Sequence, residues 1–215
     1  MEFQEVINKR RSIRDFRNTD VANDLITKIV AEAQKSASWA NSQPWKVFAI
    51  KGEALKRVKI DHLKSSTNND KRSSDLKSIQ RSEWPKYSAN NMTIFNKEIS
   101  NAQISNEEFI RQNQNLFNAP VILLLCIPKN SPAWSILDLG AFSATLMLSA
   151  KNYGIDSIHA YEIVKYARPL RQVLNIPDEF DIITGIAIGY KSDSIINNFR
   201  SSRIPVKDVL TFIEK

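Results

Sequence analysis

Apolar residues recur along this chain with two different periods, and the points where each period starts and stops predict its elements. Phe3, Val6 and Ile7 fall at helical spacing, which predicts a short helix over residues 2–11. Asn18-Thr19-Asp20 is a turn signal, after which Leu25, Ile26, Ile29, Val30 and Ala33 predict a helix from about Asn23 to Ser36. Trp45 to Lys51 reads as a strand stopped by Gly52. Leu55, Val58, Ile60 and Leu63 then predict a helix from Glu53 that fades by Ser65.

The second half is more apolar. Ser105-Asn106-Glu107-Glu108 is a capping-box pattern that opens a helix to about Phe117. Val121 to Ile127 is an unbroken apolar run between Pro120 and Pro128, which predicts a central strand buried on both faces. A helix is expected from Pro132 to Tyr153, capped by Gly154. It is apolar nearly all round, as befits a helix at the centre of a domain or at a subunit interface. Ile155 to Ala160 reads as a short extended piece and Arg168 to Asn175 as a helix. Phe180 to Tyr190 reads as a second buried strand, whose Gly185 and Gly189 permit close backbone approach. Pro205 is expected to open a terminal helix to Lys215. The class is α+β, with few strands and more helix.

Residues 64–91 differ in kind. Lys, Ser and Asn dominate up to Ser82, followed by Glu83-Trp84-Pro85-Lys86-Tyr87. The stretch is too long for a plain connection and is expected to be a lid or a disordered arm. Trp84 and Tyr87 favour an arm that docks.

Composition narrows the function. The single cysteine, Cys126, lies in the apolar run, excludes an intramolecular disulfide and is expected to be a packing residue. Two scattered histidines make a metal centre improbable. The N-terminus has no apolar core of a signal peptide, and Asp138 interrupts the most apolar long segment, so a cytoplasmic protein with no membrane span is expected. The net charge of +7 favours anionic partners: a nucleic acid, an acidic surface or a phosphorylated small molecule.

Arg10-Arg11-Ser12-Ile13-Arg14-Asp15-Phe16 concentrates that charge. Guanidiniums are fixed planar donors that grip phosphate oxygens in pairs, although such a cluster also occurs as a solvated basic face. None of the five glycines falls in a phosphate-binding loop pattern, so side chains must supply the charge for any bound phosphate. Arg200 and Arg203 at the other end of the chain are the further candidates, if the termini meet. The stretch Ser36-Ala37-Ser38-Trp39-Ala40-Asn41-Ser42-Gln43-Pro44-Trp45 offers amides that could read a heterocycle edge, or else is a helix-terminating turn.

The opening motif followed by Asn41-Ser42-Gln43-Pro44-Trp45 resembles the nitroreductase family of FMN-dependent oxidoreductases. The resemblance continues through Asn118-Ala119-Pro120, Gly154-Ile155-Asp156-Ser157, Gly189-Tyr190 and Arg203-Ile204-Pro205, with residues 64–104 the poorest match. It implies a central, mostly antiparallel sheet flanked by helices and an intertwined homodimer. The chain would be one domain over 1–215 with an inserted lid or arm at about 64–104.

It also implies a site. Arg10 and Ser12, with Arg11 assisting, would hold the FMN phosphate, and Arg14 would lie by the N1–C2=O edge of the flavin. Arg203 would be the C-terminal phosphate ligand; the chain has Ser201 where relatives often have a second base, with Arg200 as a possible substitute. Ala37, Ser38, Trp39 and Asn41 would reach the flavin of the other subunit. Backbone groups of Ala160-Tyr161-Glu162 would face N5 and O4, although relatives typically carry a Glu-Gly pair there. Arg111, Gln112 and Asn115 all remain open for a polar side chain near the ring edge.

NADH or NADPH would give hydride to flavin N5 and leave, and a nitroaromatic, quinone or similar small electrophile would take the electrons, a ping-pong cycle that needs no catalytic side chain. A basic nucleic-acid-binding module and a flavin-binding protein without turnover remain the alternatives.

Overall fold

A computed structural model describes residues 1–214. Four strands, β1 (Lys46–Ile50), β2 (Val121–Pro128), β3 (Asp156–His159) and β4 (Phe180–Gly189), form one antiparallel sheet in the order β1-β2-β4-β3. The unbroken apolar run of β2 follows from cover on both faces. Ile122, Leu124 and Cys126 face one core with Leu55, Val58 and Leu170. Leu123, Leu125 and Ile127 alternate to the other face, against Ile26, Ile29, Leu139 and Phe142. Burial drives the Cys126 thiol up to about 12, which leaves it an inert packing group as expected.

The helices are α1 (Phe3–Lys9), α2 (Asn23–Ala33), α3 (Gly52–Thr67), α4 (Lys86–Asn101), α5 (Asn106–Gln114), α6 (Ala133–Asn152) and α7 (Ala167–Leu174). At the start of α5 the Ser105 Oγ accepts from the Glu108 N–H at 3.1 Å, while the Glu108 carboxylate turns to Arg111 and Gln112. Gly154, at φ +77°, closes α6 as predicted: the Ile155 N–H reaches the Ala150 carbonyl at 2.9 Å. Both strand glycines are close approaches. A Cβ on Gly185 would lie 2.3 Å from Ile163 Cγ2, and one on Gly189 would lie 2.7 Å from Pro120 Cδ.

α6 is long and apolar enough to cross a membrane by composition alone, yet Leu139, Phe142, Leu146 and Ala150 are committed to the sheet. Its other face carries an exposed stripe, Trp134, Leu137, Ala141 and Ala144, with Trp134 52% and Leu137 62% exposed.

Three expectations need correction. The insertion at about 64–104, expected to be a lid or a disordered arm, contains α4, whose Phe95 and Ile99, with Ala102 at its C-cap, pack with Ile104, Ile196 and Phe199 in a small third cluster. Their four- and three-residue spacing is helical, but Asn and Ser between them mask it. Trp84 and Tyr87 do not anchor that stretch, being 44% and 61% exposed. After Pro205 only a short 3-10 turn forms, Val206–Asp208, where a helix to Lys215 was expected; Lys215 lies outside the described residues. Val209, Leu210, Phe212 and Ile213 find no core to order them and are exposed.

Candidate active site

The chain leaves α1 at Arg10 in extended conformation, and extended backbone alternates its side chains. Ile13 goes fully into the core, its N–H donating to the Ser157 carbonyl at 3.0 Å. Ser12 and Arg14 therefore turn the other way. They line a cleft of about 170 Å³ together with Arg10, Arg11, Arg200 and Arg203. The two ends of the chain do meet. Five guanidiniums and a hydroxyl converge, and no acidic side chain among the described residues lines the cleft.

Such crowding has an electrostatic signature. Burial, and then the neighbouring Arg200 charge, lower the Arg11 pKa, while burial alone lowers that of Arg14. Both start so high that they stay charged, so a net positive field remains, offset in part at Arg11 by Asp156. Arg14 is held between two rings, its guanidinium 5.6 Å from the Phe109 centroid and 5.4 Å from that of Phe199. One of its nitrogens donates to the Ser12 carbonyl at 3.2 Å. Arg203 donates to Ser201 Oγ at 2.9 Å and to the Ser202 carbonyl at 2.7 Å, which folds its side chain back along its own segment.

Behind these arginines lies a polar brace that the sequence did not reveal. Asn197 is buried; its Oδ1 accepts from the Arg14 N–H at 2.8 Å and from the Asp15 N–H at 3.2 Å. Its Nδ2 donates to the Asp15 carbonyl at 2.8 Å. The Asp15 carboxylate accepts from Asn118 at 2.7 Å and from the Ser192 hydroxyl. The only signal was Asn197's place three residues before Arg200. Of the three helix candidates, Gln112 is buried and tied to Glu108 and Asn118, Arg111 pairs with Glu108, and Asn115 sits at the end of α5.

Ala37, Ser38, Trp39 and Asn41 lie elsewhere and do not join the cleft within one chain. This segment is clamped to α6: the Trp39 N–H donates to Asp138 Oδ2 at 3.1 Å, and the Trp39 ring meets Trp134 edge-on at 4.8 Å. Positive φ at Ala40, Asn41 and Gln43 makes the turn tight.

Ala160, Tyr161 and Glu162 open a 3-10 turn next to β3, with the Ala160 N–H on the Gly185 carbonyl at 3.0 Å. The Glu162 side chain points inward. It accepts from Lys165 Nζ at 3.0 Å and lies 3.4 Å from His62 Nε2. Burial pushes this carboxyl up, but His62 and Lys165 outweigh it and hold it below its ordinary value. The Tyr161 hydroxyl instead meets Ser78 Oγ at 3.2 Å and Ser74 Oγ at 3.5 Å. Among the described residues no group of three His, Cys, Asp or Glu could hold a metal.

The nitroreductase family model matches residues 7–190. A 4-nitrobenzoate reductase of Pseudomonas putida is 25% identical, with 94% of this chain and 91% of the relative covered. A chloronitrobenzene nitroreductase of Comamonas testosteroni is 23% identical over 98% of this chain and 96% of its own length. The structure of the FMN-dependent nitroreductase NfnB from Mycobacterium smegmatis in complex with NADPH superposes with a TM-score of 0.89 at 22% identity, covering 98% of this chain and 97% of that one. The antiparallel sheet, its flanking helices and the family match over most of the chain agree: this protein belongs to the nitroreductase family.

Proposed function

We propose that this chain is an FMN-dependent oxidoreductase that uses NADH or NADPH to reduce nitroaromatic compounds. The observation that carries the reading is the five-arginine cleft with Ser12 in its wall and no acid among its lining residues. That donor set suits a phosphate monoester, which needs charge-assisted donors from several directions. The resemblance of the opening motif and the similarity to an FMN-dependent nitroreductase in complex with NADPH support the same choice.

In this reading Arg10, Arg11 and Ser12 grip the phosphate from one end of the chain, and Arg200 and Arg203 from the other. Arg14, fixed between Phe109 and Phe199, supplies a permanent positive charge to the N1–C2=O edge of the ring and stabilises negative charge there. The turn at Ala160-Tyr161-Glu162 offers backbone donors to the N5 and O4 side. FMN held there would supply the redox chemistry, taking hydride from NAD(P)H in one half-reaction and reducing the acceptor in the other. Quinones and similar small electrophiles belong to the same acceptor class.

The working unit in this reading is a homodimer. The exposed stripe Trp134, Leu137, Ala141 and Ala144 is an apolar helix face without cover, and the C-terminal Val209, Leu210, Phe212 and Ile213 are likewise uncovered. Ala37, Ser38, Trp39 and Asn41 are fixed beside that stripe, so a partner packed there receives them at its own flavin. Each chain is one domain with an inserted arm at about 64–104, and the protein works in the cytoplasm.

The test is direct. The purified protein is yellow, carries a flavin absorption band, and bleaches when mixed anaerobically with NADH or NADPH; a nitroaromatic restores the colour. A colourless preparation that takes up no FMN overturns the reading. Flavin that never bleaches leaves a binding protein without turnover.

A further inference from the structure

The segment between α3 and α4 is tied down in its middle, away from Trp84 and Tyr87. The Ser73 N–H donates to the Lys165 carbonyl at 2.9 Å, and Ser73 Oγ accepts from the Arg168 N–H at 3.2 Å. Asp75 Oδ2 accepts from Arg171 at 2.7 Å and from the Ile182 N–H at 2.8 Å. The second contact falls where the β2–β4 register slips past Ile183, so Asp75 takes a strand N–H at the irregularity in the ladder. Arg171 is itself anchored by the Pro177 and Phe180 carbonyls, at 2.9 and 2.8 Å. Residues 73–78 therefore form a strap across α7 and the edge of β4.

Beneath the strap is a cavity of about 350 Å³, bounded by Leu76, Leu139, His159, Tyr161, Ile183 and Thr184. That volume is near the lower end for small-molecule pockets, roughly 300–1,000 Å³. Among the described residues no Lys, Arg, Asp or Glu lines it. His159 hydrogen-bonds Thr184, and burial lowers its pKa, so its ring is neutral at pH 7. The walls are apolar and uncharged. A carboxylate placed there would be desolvated without a counter-charge.

Tyr161 belongs both to this cavity and to the turn assigned to the flavin edge. We infer that Tyr161, held by Ser74 and Ser78 of the strap, is a specificity-determining residue that reserves the acceptor compartment for neutral aromatics and turns away carboxylated acceptors. The inference rests on the oxidoreductase reading and extends it to the acceptor class. Asp75 is the positioning residue: it fixes the strap, and the strap fixes the phenol.

Two measurements test it. Exposed trypsin sites lie at Lys71 and Arg72, just before the strap, and at Lys77 within it, so its opening can be followed without turnover. Nitrobenzene is expected to slow cleavage at these sites severalfold, and 4-nitrobenzoate to leave it unchanged. In the FMN-loaded enzyme, kcat/KM for nitrobenzene is expected to exceed that for 4-nitrobenzoate by tenfold or more. Tyr161→Ala and Asp75→Asn should raise kcat/KM for 4-nitrobenzoate relative to nitrobenzene at least fivefold, because an opened compartment lets water reach the carboxylate, with Tyr161→Phe lying between Tyr161→Ala and the parent. An FMN-loaded, NAD(P)H-reducible protein in which nitrobenzene gives no protection and the acceptor ratios stay within twofold overturns the inference alone. Protection by nitrobenzene in a protein that takes up no FMN upholds the cavity's ligand class and overturns the oxidoreductase reading instead.

Discussion

Asn197 holds Arg14 in place through the backbone, its Oδ1 accepting the Arg14 N–H at 2.8 Å across 183 positions of sequence. The same amide accepts from Asp15 and donates to the Asp15 and Ser192 carbonyls. One side chain thus joins the N-terminal arginine segment to the C-terminal one, and the cleft exists because it does.

Asn197→Ala removes acceptor and donors together and leaves the Arg14 and Asp15 N–H groups without their partner. A buried polar group left unpaired costs about 1–3 kcal/mol, so the variant should lose about 3 kcal/mol in urea denaturation. FMN affinity should fall at least tenfold, because Arg200 and Arg203 are no longer registered against Arg10 and Ser12. Parent-like stability together with parent-like affinity would show that the brace is dispensable.

Arg14→Ala should weaken FMN retention and slow flavin bleaching by NAD(P)H. Arg14→Lys keeps the charge but loses the planar group between Phe109 and Phe199, and should fall between. Stopped-flow absorbance reads the rate and a fluorescence titration the affinity. If Arg14→Ala matched the parent in both, the charge would have no part in the site.

Gly185→Ala puts a methyl group 2.3 Å from Ile163 Cγ2 and 2.7 Å from its Cβ. Ile163 follows directly on Tyr161 and Glu162, so the overpacking displaces the turn beside the proposed ring edge. A loss of about 1–3 kcal/mol is expected from such overpacking. Gly185→Ala paired with Ile163→Val should recover part of it, and thermal unfolding of the single and double variants decides the matter.

The Glu162–Lys165 pair makes a pH prediction. The Glu162 carboxyl is held below its ordinary value, so its contribution is present above about pH 4.3 and is lost as pH falls through the lower folded value. For Lys165, burial acts downward but Glu162 outweighs it and raises the ammonium. Its contribution is present below about pH 10.4 and lost as pH rises through the higher folded value. At neutral pH both are in force. Glu162→Gln should cost about 1–2 kcal/mol at pH 7, the pair being partly screened by solvent. That gap should close as the pH is lowered to 3; a gap of constant size would remove the assignment.

Much of this was legible in the residues because the signal was local. The apolar run of β2, the capping serine of α5 and the C-terminal glycine of α6 each announce their structure within a few positions. The arginine cluster was legible only as a candidate anion site, since such a cluster also occurs as a solvated basic face, and the phosphate role of Arg203 came from the resemblance. α4 was hidden because Phe95 and Ile99, which pack against the third cluster, are embedded among asparagine, serine and charged residues. The terminal segment read as a helix from its proline, but an apolar stretch orders only against something, and none of the described residues of the chain covers it.

The sequence by itself determined the chemistry on offer: five arginines, a serine, a tyrosine at the turn, and the alternating faces that make a buried strand. Only the tertiary structure decided which of these meet. Arg14 and Asn197 are adjacent because a buried amide needs several partners and finds three of them on the backbone of Arg14 and Asp15, far away in sequence. Asp75 closes the strap because a slipped register leaves a strand N–H for it to accept. Such pairings depend on geometry between distant segments, which no local period encodes.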